Sequence, residues 1–248
     1  MKSDAHAVDL TGAPFVDLDH LVMTGQSTPS IVRVDFLRLL ESTSDVDASI
    51  ATLNDLLSHI EETPTVRIVV FTGLGGQAEP VTTALSTDQF RRWNKLLDKI
   101  CDLHAMTIGV AEGTCNGRGF QLAVCCDFRL CTSGTQFSCV EARAGHLPGL
   151  LTYCLPTLVG NAVAKRIVLA GEAYDALAAK SVGLVDYVVD ASRLETELAA
   201  FADQLSSAHP GSVQLARRLI NEANVTQREA VLGHHIAAYH CCVEAMSR

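Results

Sequence analysis

Gly113-Thr-Cys-Asn-Gly-Arg-Gly-Phe-Gln-Leu-Ala-Val-Cys-Cys-Asp127 lies between two strand-like runs, residues 106–111 and residues 127–131. The earlier run is apolar and nearly continuous, as in a strand buried on both faces, and residues 120–126 form a helix-compatible segment after the glycines. A strand that ends in a glycine-bearing loop and passes into a helix is a crossover unit. It predicts parallel strands with right-handed connections and ligands at their carboxyl ends.

Upstream the same unit occurs once already. Apolar residues Val46, Ile50, Leu53, Leu56, Leu57 and Ile60 recur at helical spacing, and residues 65–71 are β-branched and almost unbroken. A loop with Gly73, Gly75 and Gly76 follows, then a helix over 87–103. Residues 1–30 carry Gly12, Pro14, Gly25 and Pro29 and predict irregular structure or short edge strands. Beyond Pro148 the pattern becomes helical over 150–159, 162–170, 176–182, 193–205, 213–224 and 227–246, with one strand over 184–189. The expected division is a core domain over 1–190 and a helical region over 191–248.

Bulk properties exclude several functions. The 248 residues are 48% hydrophobic, enough to bury one substantial core, and carry a formal charge of −9. A nucleic-acid partner needs a concentrated basic face, and no block of Lys or Arg supplies one. Two Asp and a His among residues 1–10 do not suit a secretory leader, and no apolar run is long enough for a membrane span, so a cytoplasmic protein is expected. The nine cysteines show no C-x-x-C spacing and read as reduced core thiols. His234, His235 and His240 lack the i, i+4 spacing of helical zinc ligands, so no metal is expected.

The motifs after the second glycine loop come in a fixed order: Ala123, Cys126-Asp127, Thr135-Gln-Phe-Ser-Cys-Val-Glu141, Gly145-His-Leu-Pro-Gly149, Val159-Gly160, Leu169-Ala-Gly171 and Ala179-Lys-Ser-Val-Gly-Leu-Val185. With residues 68–75 they resemble the crotonase (enoyl-CoA hydratase/isomerase) superfamily over roughly residues 65–190. The resemblance implies an α/β fold, ClpP-like, of repeated β-β-α units with a helical C-terminal trimerisation region. It also implies trimers or pairs of trimers.

Further expectations come with it. In that family two backbone N–H groups polarise a thioester carbonyl and hold the enolate, each such donor being worth ~10²–10³ in kcat. By position these donors fall on Arg118, between Gly117 and Gly119, and on Thr82. Arg118 stands where relatives usually carry a third glycine, and Pro80-Val81 replaces a small-residue pair before Thr82. Of the two carboxylates that act in the hydratases, the first position is Gln121, which cannot exchange protons but can orient a water or carbonyl. The second is Glu141, the expected general acid and base. His146 and Pro148 belong to the expected substrate-binding loop, together with Gly117 and Gly119.

The implied activity is hydration or dehydration of an acyl-CoA or acyl-carrier-protein thioester in a specialised biosynthetic pathway, with isomerisation or decarboxylation as alternatives. No cofactor is implied beyond the coenzyme A or phosphopantetheine of the substrate. Residues 27–40 lack the Arg-Pro-x-x-x-Asn-Ala run that frames the adenine end in relatives, which keeps a carrier-bound substrate open. Trp93-Asn94, Val110-Ala-Glu-Gly113 and residues 214–218 and 233–238 are similar to a narrower branch, the crotonase-like accessory proteins of dihydroxyphenylglycine biosynthesis. Such proteins assist a polyketide synthase, so an accessory subunit is the competing expectation.

Overall fold

The computed structural model describes residues 16–17, 30–43, 45–76 and 85–223. Strand β1 (Val16–Asp17) pairs antiparallel with β2 (Ile31–Asp35), whose last residue caps helix α1 (Phe36–Ser42) by accepting from the Arg38 amide at 3.1 Å. Helix α2 (Val46–Glu61) buries Ile50, Leu53, Leu56, Leu57 and Ile60, the stripe read from the sequence, and leads into β3 (Ile68–Thr72), which is buried along its whole length. Helix α3 (Thr87–Asp102) opens with a reciprocal box: Ser86 accepts from the Gln89 amide, and the Gln89 side chain accepts from the Ser86 amide.

Strand β4 (Met106–Ala111) is followed by β5 (Thr114–Cys115) and α4 (Gly117–Cys125). Next come β6 (Phe128–Thr132) and β7 (Gln136–Phe137), a 3-10 turn at Ala142–Ala144, and α5 (Leu151–Val168). Strand β8 (Tyr174–Asp175), α6 (Ala176–Ser181), β9 (Tyr187–Val189), α7 (Leu194–Ser206) and α8 (Pro210–Glu222) complete the described chain.

The large sheet has the order β1-β2-β3-β4-β6-β9, parallel from β2 onward, and the small one the order β5-β7-β8. The units β4-β5-α4 and β6-β7-α5 place one strand in the large sheet and the next, very short one in the small sheet before a helix closes the turn. This is the expected β-β-α repeat. The contacts divide the chain into two compact units, Met1–Ala199 and Ala200–Arg248, and the sheets lie in the first.

Several elements differ from the sequence reading. The loop over 113–119 contains β5, and its helix starts at Gly117 rather than at residue 120. Strands β7 and β8 have two residues each, too short to show a period of two. The two helices expected over 150–159 and 162–170 are present as the two halves of α5, separated at Gly160, where φ is 76° and ψ is 159°. The reading assigned nothing to β2 or α1, and its last helix, over 227–246, lies outside the described residues.

Candidate functional site

The site is built where β3 and β4 end. Gly117 has φ 54°, in the left-handed region, and turns the chain from β5 into α4. Two residues on, a Cβ at Gly119 would stand 2.2 Å from the Leu74 carbonyl oxygen. Gly119 thus allows the loop after β3 to lie directly on the first turn of α4, a packing role the sequence reading did not anticipate.

The first backbone bond of α4 runs from the Phe120 amide to the Asn116 carbonyl at 3.1 Å. The amides of Gly117, Arg118 and Gly119 stand ahead of it, at the positive end of the helix dipole, where negative charge is stabilised. Among the described residues, Leu37, Leu74, Gly75, Asn116 and Gly119 line a pocket of about 30 Å³ beside this turn, room for a water molecule or two. Thr82, the other expected donor, lies outside the described residues.

Gln121 and Glu141 come together as a buried pair, 6% and 8% exposed. Gln121 Nε2 donates to Glu141 Oε1 at 3.1 Å, and the second carboxylate oxygen, Oε2, accepts from the Val140 amide at 3.0 Å. The orientation of the Gln121 amide is set from α3. Trp93 Nε1 donates to Gln121 Oε1 at 2.7 Å, and an indole N–H can only donate, so the carboxamide nitrogen must face Glu141. Two N–H donors thus converge on the Glu141 carboxyl group and fix its orientation.

Trp93 packs in the core, buried with its ring centroid 6.1 Å from that of Phe36. Its hydrogen bond to Gln121 is the role that was missed. Arg118 extends the same chain of contacts, its guanidinium carbon 6.0 Å from the Trp93 centroid. The neighbouring Asn94 ties down the Pro148 loop: its Oδ1 accepts from the Leu150 amide at 2.6 Å, and its Nδ2 donates to the Phe90 carbonyl at 2.7 Å.

His146 is half-buried and joined to the site through its backbone, its amide donating to the Glu141 carbonyl at 2.8 Å. Pro148 is buried and Leu147 is exposed, beside an apolar hollow of about 280 Å³ lined by Phe90, Asn94, Leu150 and Tyr153. Burial and the Glu141 carboxylate push the Cys139 thiol up to about 12, so Cys139 is a neutral thiol at physiological pH.

A spiral of β-β-α units with a buried glutamate behind a glycine-opened helix defines a class, and solved structures share its fold. An enoyl-CoA hydratase from Bacillus anthracis superposes with a TM-score of 0.75 at 24% identity, covering 93% of this chain and 91% of that one. The family model for enoyl-CoA hydratase/isomerase matches residues 46–243, and the chain belongs to that family, within the crotonase superfamily. Among curated relatives, the (E)-benzylidenesuccinyl-CoA hydratase of Thauera aromatica is 28% identical over 203 residues, 77% of each chain. The crotonyl-CoA hydratase of Syntrophomonas wolfei is 29% identical over 201 residues, again 77% of each. Acyl-CoA thioesters are the substrate class consistent with this membership. Among the described residues, no helix is long and apolar enough to cross a membrane.

Proposed function

We propose that the chain is a hydratase or dehydratase of acyl thioesters, carried on coenzyme A or on an acyl carrier protein, serving a specialised biosynthetic pathway. The observation that carries this reading is the Glu141 carboxylate, buried and held by two N–H donors next to the amide-lined start of α4. The hydratase names of the curated relatives support it.

In the hydration direction, the Glu141 carboxylate takes a proton from water as the water oxygen bonds to the β-carbon. The C=C electron pair shifts toward the thioester, whose carbonyl becomes an enolate oxygen. The Arg118 amide, with that of Thr82, receives the negative charge and forms the oxyanion hole. Glu141, now a carboxylic acid, delivers its proton to the α-carbon and restores the thioester. Dehydration is the reverse. Gln121 cannot exchange protons, so it orients the glutamate and the water while Glu141 acts as both base and acid. Double-bond isomerisation and decarboxylation use the same enolate and are the alternative outcomes for this site.

The Arg118 cation beside this cluster favours a substrate with a second negative charge. In a panel of enoyl thioesters with and without a free carboxylate, the parent should prefer the charged members by about tenfold, and Arg118→Ala should abolish that preference. Equal turnover of both classes by parent and variant would remove the assignment.

One observation favours an accessory role instead: Gln121 occupies the position of a carboxylate. In that reading the chain assists a polyketide synthase. The whole protein is proposed to assemble as a trimer or a pair of trimers. Hydration of the same panel by Glu141→Gln tests the enzyme directly. A fall of roughly 10²–10⁴ with the fold retained is expected. An undiminished rate would rule out Glu141 as the acid and base, and no turnover by the parent without a synthase would favour the accessory role.

A further inference from the structure

The sequence spacing offered no metal ligands, yet the fold gathers three cysteines from three helices. Cys101 lies in the last turn of α3, Cys125 ends α4 and Cys154 lies in the first turn of α5. Their sulfurs all lie within 4.8 Å of one another, with Cys125 Sγ and Cys154 Sγ 3.9 Å apart. The adjacent Cys126 turns away, its thiol donating to the Leu122 carbonyl at 3.5 Å. One member of the Cys125-Cys126 pair therefore serves the cluster and the other packs elsewhere.

We propose that Cys101, Cys125 and Cys154 form a binding site for a thiophilic d¹⁰ cation, Zn²⁺ or Cu⁺, outside the Glu141 site. Metal–sulfur bonds of about 2.3 Å in a trigonal or tetrahedral arrangement place ligand sulfurs roughly 3.8–4.0 Å apart. The Cys125–Cys154 pair already has that separation. The third sulfur is reached by a shift of under about 1 Å, within the rotamer freedom of a cysteine.

Thiolate ligands need a route and an electrostatic partner. Cys101 is half-buried, whereas Cys125 and Cys154 are buried, so the site opens toward solvent on the α3 side. The Cys101 thiol donates to the Cys125 carbonyl at 3.8 Å, which holds its sulfur at the cluster. The buried Arg129 guanidinium, which donates to the Cys126 carbonyl at 2.6 Å, places a cation near the cluster, shared with Asp186 at 3.2 Å. Soft sulfur ligands select d¹⁰ cations over Mg²⁺ or Ca²⁺.

The test uses the full-length, reduced chain freed of metal, titrated with Co²⁺ and back-titrated with Zn²⁺ and, under anaerobic conditions, Cu⁺. Thiolate–Co²⁺ charge-transfer absorption saturating at one equivalent per chain, and its loss on adding Zn²⁺ or Cu⁺, is the expected result. Cys101→Ser, at the most accessible of the three positions, should weaken Zn²⁺ at least tenfold while circular dichroism shows an unchanged fold. Cys154→Ser should do the same. Cys131→Ala and a Cys241→Ser/Cys242→Ser double variant should bind as the parent does.

Absence of the charge-transfer band in the parent would overturn the site. So would binding that survives both Cys101→Ser and Cys154→Ser, or that disappears in the double variant.

Discussion

The two ends of helix α4 use opposite chemistry. At its start, Gly117 and Gly119 remove side chains so that backbone can meet backbone, and Gln121 is fixed by a directional donor, Trp93, on one side and an acceptor, Glu141, on the other. At its end, Cys125 meets Cys101 and Cys154, whose sulfurs are polarisable and weak hydrogen bonders. Directional bonds give Glu141 one geometry before any substrate arrives. The sulfur cluster gains a single geometry only when something bonds to it. One helix thus carries a site ordered by its own chain and a second that a ligand would order.

The largest break in this contrast is Gly119→Ala. Its methyl would enter the space of the Leu74 carbonyl oxygen, displacing the loop after β3. Overpacking of this kind costs about 1–3 kcal/mol, so Tm should fall by roughly 2–10 °C in a melting experiment, with activity reduced further than the stability loss accounts for. A variant as stable and as active as the parent would show that the close approach is not needed.

Trp93→Phe is a smaller and sharper change. The ring volume is largely kept, but the donor that turns Gln121 toward Glu141 is gone. Steady-state kinetics should show kcat lower by about tenfold with KM nearly constant, because the loss falls on the reacting group rather than on binding. A change in KM alone would reduce Trp93 to packing.

Thiol mapping gives the smallest effect and separates the cysteines most finely. Burial and Glu141 raise Cys139, so below about pH 12 it stays protonated and its thiolate is scarce. Burial raises Cys115 and Cys126 further still. Brief alkylation of the folded protein at pH 8, read by peptide mass spectrometry, should label Cys101 first among the described cysteines and leave these three unmodified. Early labelling of Cys139 would contradict its burial beside the carboxylate.

Much of the site was legible in the sequence because motif order preserves it. Glu141 and Gln121 were singled out 20 residues apart, and the structure brings them within hydrogen-bond distance. The buried strands over 68–72 and 106–111 announced themselves as continuous apolar runs. What was missed depends on distant partners. The Trp93 indole reads as core until the residue opposite its N–H is known. The packing of Gly119 against Leu74 is a contact between segments 45 positions apart, and the three cysteines share no local spacing at all. Strands of two residues carry too little pattern to be seen before their neighbours are placed.

The central claim is that Glu141 moves a proton at the carbon next to a thioester carbonyl. It is tested most directly by incubating the parent protein and Glu141→Gln with a panel of acyl-CoA and acyl-carrier thioesters in deuterated water, followed by mass spectrometry of the acyl group. The account predicts deuterium at the α-carbon together with gain or loss of water for at least one thioester, with both signals dependent on Glu141. Deuterium and water exchange that proceed equally in the variant, or that are absent from every thioester offered, would contradict it.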